Sequence, residues 1–123
     1  MINETLLNVL SHEGVVAIVT CGEKGAHVVN TWNSYIVVNE DEKLLIPAAG
    51  MRRTQQNIEQ NNAVKITLGS KDVMGHRSIG TGFLIEGSAK FIESGSDFDT
   101  MKEKFPFLSR VLEITILSTK QTV

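Results

Sequence analysis

Six apolar runs rich in β-branched residues succeed one another along this chain with no repeating helix between them: Val15 to Thr20, Ala26 to Val38, Leu44 to Ala48, Ala63 to Leu68, Phe83 to Ile92 and Val111 to Leu117. Runs of this kind extend as strands, and strands joined by short turns pair antiparallel. The pattern therefore predicts a mainly β fold, a closed or partly open six-stranded antiparallel barrel, and not a doubly wound parallel sheet. Gly22-Glu23-Lys24-Gly25 reads as a hairpin turn, and Gly87 as a bulge or bend within its strand. Asn39 to Lys43 reads as a polar turn whose acidic cluster is solvated rather than catalytic. Three short helices are expected around the strands. Glu4 to about His12 is capped by Asn3, a second helix runs from Gly50 to about Asn61 with Ile58 inward, and Ser96 to Phe105 is capped by Ser96 or Asp97 and ended by Pro106. Ser70 to Gly82, with three glycines, reads as the longest irregular segment, and Ser118 to Val123 as a trailing tail.

At 123 residues and 41% hydrophobic content, the chain is expected to form one domain, residues 1–123, with a core that needs no disulfide or metal. A formal net charge of −2 gives no overall basic field, which argues against general binding to nucleic acid or to an anionic membrane. Cys21 is the single cysteine and reads as a small packing residue in a reducing interior. His12, His27 and His76 are too scattered to suggest a metal site. The N-terminus lacks the basic and long apolar segments of a secretory signal, no run is long enough to span a bilayer, and the expected location is cytoplasmic.

Two segments carry chemistry. Gly50-Met51-Arg52-Arg53-Thr54 places cations and a hydroxyl in the first turn of a helix, directly after a strand. Free amides and the positive end of the dipole favour an anion there, and a guanidinium adds paired charge-assisted hydrogen bonds, which makes Arg53 and Thr54 candidate phosphate ligands. A solvated helix start with two surface arginines accounts for the same residues. The second segment, Asn30-Thr31-Trp32-Asn33-Ser34-Tyr35, puts polar side chains into an otherwise apolar strand. A planar heteroaromatic ligand would pair with the amide and hydroxyl groups while Trp32 offers a flat wall. The alternative is an edge strand with Asn30, Asn33 and Ser34 in solvent and Trp32 in the core. Taken together, ring partners and a phosphate cradle one hairpin later fit flavin mononucleotide (FMN) or pyridoxal phosphate. Gly80-Thr81-Gly82 is no dinucleotide fingerprint, because it lacks the third glycine and the following helix.

Glu13-Gly14-Val15-Val16-Ala17-Ile18, the NTWNSY run at Asn30 to Tyr35, Gly50 to Thr54, Leu68 to Ser70, Gly80 to Ile85 and the closing Gln121-Thr122 closely resemble the small bacterial FMN-binding proteins. These are split-barrel flavoproteins related to pyridoxamine 5′-phosphate oxidase. The resemblance implies a six-stranded split barrel that dimerises and holds one FMN per subunit near the dimer interface. It implies that Asn30, Thr31 and Trp32 lie along the flavin and ribityl chain, that Ala48, Ala49 and Gly50 offer backbone contacts, and that Arg53 and Thr54 hold the phosphate. Thr122 and Val123 would reach the partner's flavin. Two positions depart from a member of that family, which has lysine where this chain has Arg53 and tryptophan where it has Phe107. Arginine keeps the charge and adds a fork, whereas phenylalanine loses an indole donor.

The expected function is that of a flavin redox protein, an electron carrier or small oxidoreductase working with a redox protein partner, with no side chain marked as a catalytic acid or base. Oxidation of pyridoxamine phosphate is the enzymatic alternative, for which Lys71 and Arg77 are the only evident substrate cations. A non-catalytic flavin store or sensor is the third.

Overall fold

The computed structural model describes residues 2–123; Met1, part of the N-terminal stretch read above, lies outside them. The strands are β1 (Val15–Gly22), β2 (Gly25–Trp32), β3 (Val37–Val38), β4 (Leu44–Ala48), β5 (Ala63–Met74), β6 (Ile79–Ile92) and β7 (Arg110–Gln121), and the helices are α1 (Glu4–Leu10), α2 (Arg52–Gln60) and α3 (Ser96–Lys104). All paired strands run antiparallel in one sheet of order β2-β1-β5-β6-β7-β4-β3. The sheet wraps one apolar interior and stays open between its edge strands β2 and β3, which is a split barrel.

Alternation along the strands builds that interior. Val16 and Ile18 of β1, Val64, Ile66 and Leu68 of β5, Phe83 and Ile85 of β6, and Leu112 and Ile114 of β7 all point inward. Leu6 and Val9 of α1 and Ile58 of α2 join the same cluster. β4 is buried along its whole length because it has an interior on both sides. Leu44 and Ile46 face the barrel, while Leu45 faces a second cluster formed with Met101 and Phe105 from around α3, Leu108 and Val111. At Gly87 the β6–β7 register shifts as expected, and a Cβ there would collide with the Thr115 carbonyl oxygen.

Five expectations change. The strand predicted from Ala26 to Val38 breaks at Trp32 into β2, a 3-10 turn at Asn33–Tyr35, and β3, which is why seven strands replace six. Ser70 to Gly82 is no irregular loop, since the β5–β6 ladder continues through Ser70↔Thr81 and, after a bulge, Met74↔Ile79. The tail is not loose either: β7 runs to Gln121, and beyond it the Thr122 amide donates to Gly82 O at 2.9 Å, while Val123 O accepts from the His76 amide at 2.9 Å. Position 95 is the N-cap of α3, with no side-chain cap, and Asp97 instead accepts from Asn39 Nδ2 at 3.1 Å. Cys21, expected to pack, is exposed.

Asn33 explains the broken strand. Its side chain is fully buried, and Nδ2 donates to Val9 O (3.2 Å), His12 O (2.9 Å) and Gly69 O (3.1 Å), while its own amide donates to Gly14 O (2.9 Å). One amide thus ties the end of α1, the α1–β1 connection and β5 to the 3-10 turn. A strand cannot continue through a residue turned inward in this way. Asn33→Ala should cost about 2–4 kcal/mol in denaturant unfolding, because the buried carbonyls lose their donor. Asn33→Asp should cost more, and increasingly so as pH rises above about 4. Burial against carbonyls raises the carboxyl pKa in the folded state, so stability falls once the unfolded chain ionises first.

Candidate functional site

The turn from β4 into α2 is held from behind by β7. Ser109 Oγ donates to Ala48 O and Ala49 O, both at 3.3 Å, and Arg110 donates from Nη1 to Ala49 O (3.2 Å) and from Nη2 to Gly50 O (2.5 Å). Thus fixed, the chain enters α2 through Met51 in the left-handed region, at φ 59° and ψ 34°. Met51 supplies no side-chain cap, and no acid lies in the first turn. The Gln55 amide is the first to reach an intrahelical carbonyl, Met51 O at 2.9 Å, so the amides of Arg52, Arg53 and Thr54 have no acceptor within the helix.

Thr54 is fully buried, and its hydroxyl has no hydrogen-bond partner. A buried hydroxyl without a partner is costly and rare, and here it stands in the same turn as the open amides. Arg52 and Arg53 are exposed. Arg53 also lines a cleft of about 300 Å³ between the β1–β2 hairpin and α2, together with Lys24, His27, Gln56 and Gln60.

The polar segment divides between its two readings. β2 is an edge strand, and Asn30 is exposed, with its Nδ2 donating to Val16 O at 3.2 Å. Trp32 is not in the core: 46% of its surface is accessible, beside the opening between β2 and β3. Thr31 is buried opposite Val16. Asn33, expected either in solvent or on a ligand, is a structural tie. Ser34 donates from its hydroxyl to Glu13 Oε2 at 2.8 Å. Tyr35 packs with Phe105 and Phe107 in an aromatic group, where Phe107 is half exposed.

Ala48, Ala49, Gly50, Arg53 and Thr54 therefore come together in one turn, while Asn30, Thr31 and Trp32 share the end of β2. Thr122 and Val123 are latched to the β5–β6 hairpin, and among the described residues no hydrogen bond joins them to either group. Thr122 does share a groove with Val15 and Phe83, and Val15 pairs with Trp32. Sequence reasoning missed Ser109 and Arg110. A cation opening an apolar strand after Pro106 was the available signal, since such a charge needs a partner when the strand is buried.

The structure thus combines a split barrel with an uncapped helix start flanked by two arginines. The family model described as pyridoxamine 5′-phosphate oxidase matches residues 2–122, and the chain belongs to that family. It is 44% identical, over the full length of both chains, to a protein of Nitratidesulfovibrio vulgaris named FMN-binding protein. Among solved structures, HupZ of Group A Streptococcus aligns with a TM-score of 0.80 at 15% identity, covering 98% of this chain and 94% of that one. An FMN-binding protein of Syntrophomonas wolfei aligns with a TM-score of 0.68 at 15% identity, covering 88% and 76%. At those identities the two structures show the shared fold.

Glu13 lies beside the seam, and the Ser34 hydroxyl lowers its pKa; desolvation opposes this, and the amides of Ser34 and Gly14 add to the lowering. A depressed folded-state pKa contributes stability above the unfolded value, and that contribution is lost as pH falls through the folded one. Ser34→Ala should return the Glu13 titration toward the ordinary glutamate value in a carbon-detected NMR titration. An unchanged midpoint would show that the hydroxyl does not set it.

Proposed function

We propose that this protein is an FMN-binding flavoprotein, an electron carrier or small flavin oxidoreductase, acting as a homodimer with a redox protein as partner. The observation that carries this reading is the unpartnered buried Thr54 hydroxyl within a helix start that has open amides, two arginines and no acid. A terminal phosphate dianion satisfies each of those groups at once, and the 44% identical relative is named for FMN. When bound, FMN supplies reversible electron uptake on its ring. The chain's own residues anchor the phosphate at Arg53 and Thr54, offer Ala48, Ala49 and Gly50 backbone along the ligand, and present Asn30, Thr31 and Trp32 toward the ring and ribityl chain.

Dimerisation is favoured by the apolar side chains left on the surface, among them Val15, Val28, Trp32, Met74, Ile79 and Leu117, and by the open seam of the sheet. Thr122 and Val123 would reach the flavin of a second copy. Among the described residues no helix is long and apolar enough to cross a membrane. A single domain in a cytoplasmic setting completes the proposal.

Oxidation of pyridoxamine phosphate is the second reading, favoured by the family's name. It needs a second phosphate cradle. Lys71 is ion-paired with Asp72 and both are exposed, leaving Arg77 at the hairpin groove as the substrate cation available. A flavin store or sensor would share the binding site but bind a partner in one redox state only.

The purified protein should be yellow, and acid release should yield FMN by mass. Thr54→Val should weaken FMN by roughly tenfold or more, the size of a hydrogen bond to a charged group, yet leave the apoprotein as stable or slightly more so, since the lost hydroxyl had no partner. Equal weakening of riboflavin, or a destabilised apoprotein, would remove the phosphate assignment. Light scattering at micromolar concentration should give twice the 13.5 kDa chain mass, and a monomer with flavin bound would end the shared-site model.

A further inference from the structure

Arg110 is only 9% exposed, and every group it touches is neutral. Nε donates to Gln55 Oε1 at 2.7 Å, Nη1 to Ser109 Oγ at 2.8 Å and to Ala49 O, and Nη2 to Gly50 O, while the guanidinium stacks 4.9 Å from the centre of the Phe91 ring. The ion pairs of the described residues do not include it. A nearly buried cation without a counter-charge is costly, and this one is bonded to the first turn of α2, whose dipole end is also positive. Arg52 and Arg53 add to the same field, and the turn holds no acid. Positive charge is collected here, and among the described residues no acid is ion-paired with Arg110.

We propose that Arg110 is a positioning and charge-selecting residue for the phosphate site, with the dianion of the ligand as its missing counter-charge. This rests on the phosphate reading of Thr54 and Arg53. Arg110 does not touch the ligand. It acts in two ways: its fork fixes the Ala49 and Gly50 carbonyls so that the α2 amides stay open on the far side, and its charge, held at low dielectric, favours a dianion over a neutral group. The residue thereby sets how strongly FMN is preferred over the uncharged riboflavin. Four of its five N–H groups are bonded to neutral acceptors, and none of them meets a negative charge.

Two substitutions separate this role from plain packing. Arg110→Met keeps much of the volume and the stack on Phe91 but removes the charge. Gln55→Glu places a carboxylate where Nε already has a partner, at a first-turn position of α2 where an acid also suits the helix dipole. The measurements are the dissociation constants of FMN and riboflavin, by fluorescence titration of the flavin-free protein, with the unfolding temperature of that protein. Wild type should favour FMN strongly. Gln55→Glu should raise the unfolding temperature of the flavin-free protein while cutting the FMN-to-riboflavin preference at least tenfold. Arg110→Met should cut the same preference, and Arg110→Lys, which keeps the charge without the fork, should restore part of it. An unchanged preference in Gln55→Glu, or equal losses for both ligands in Arg110→Met, overturns the inference while leaving the phosphate site itself intact. A wild type without preference for FMN overturns that reading instead. Should Arg110→Met fail to fold, Gln55→Glu and Arg110→Lys decide the question.

Discussion

The chain from Ala48 to Thr54 is bonded on one side and left open on the other, and most of the functional architecture depends on that asymmetry. Its carbonyls are taken by Ser109 and Arg110, so the turn cannot relax toward β7. Its amides, at the start of α2, are given no internal acceptor. A helix optimised for stability would carry a capping side chain and an acid in this first turn, worth about 1 kcal/mol or more together. This one carries arginines and a buried hydroxyl without a partner. The first turn of α2 thus forgoes the stability that a cap and an acid would give it.

The barrel supplies the rigidity that such a turn needs. β4 is enclosed between the barrel interior and the α3 cluster, so the strand that delivers Ala48 is fixed on both faces. On the other side of the seam, the Asn33 amide stops the sheet and turns the chain inward, which leaves Trp32 at an opening instead of continuing β2 into a longer edge. An uninterrupted strand from Ala26 to Val38 would have lengthened the exposed edge and closed the space beside Trp32. The break in the strand and the open helix start thus come from two different elements, β2 and the β4–α2 turn.

The features legible in the sequence were the local ones. The helix start at Gly50 to Thr54 could be read because its chemistry lies within five consecutive residues, and Gly87 because a glycine inside a strand marks a bulge. Asn33 could not be read as a tie, since its partners are 21 to 36 residues away, and a buried asparagine and a solvated one look alike in a polar run. Arg110 was hidden for the same reason, with its helix and turn partners 55 to 61 residues distant. Ser70 to Gly82 was misread because glycines and polar residues suggest a loop, whereas the ladder across to β6 and the C-terminal latch supply the hydrogen bonds that composition could not show.

The state of the bound phosphate is the most direct measurement of whether the α2 start is a cationic site awaiting a dianion. Free phosphate monoesters take up a second proton near pH 6. Phosphorus NMR of the FMN complex should show a single bound resonance whose shift does not move between about pH 5 and 8, because open amides, Thr54 and the surrounding arginines hold the dianion and push its protonation to lower pH. A bound resonance that titrates near 6, as the free ligand does, would mean that the phosphate stands in solvent, and the central claim for this helix would be wrong.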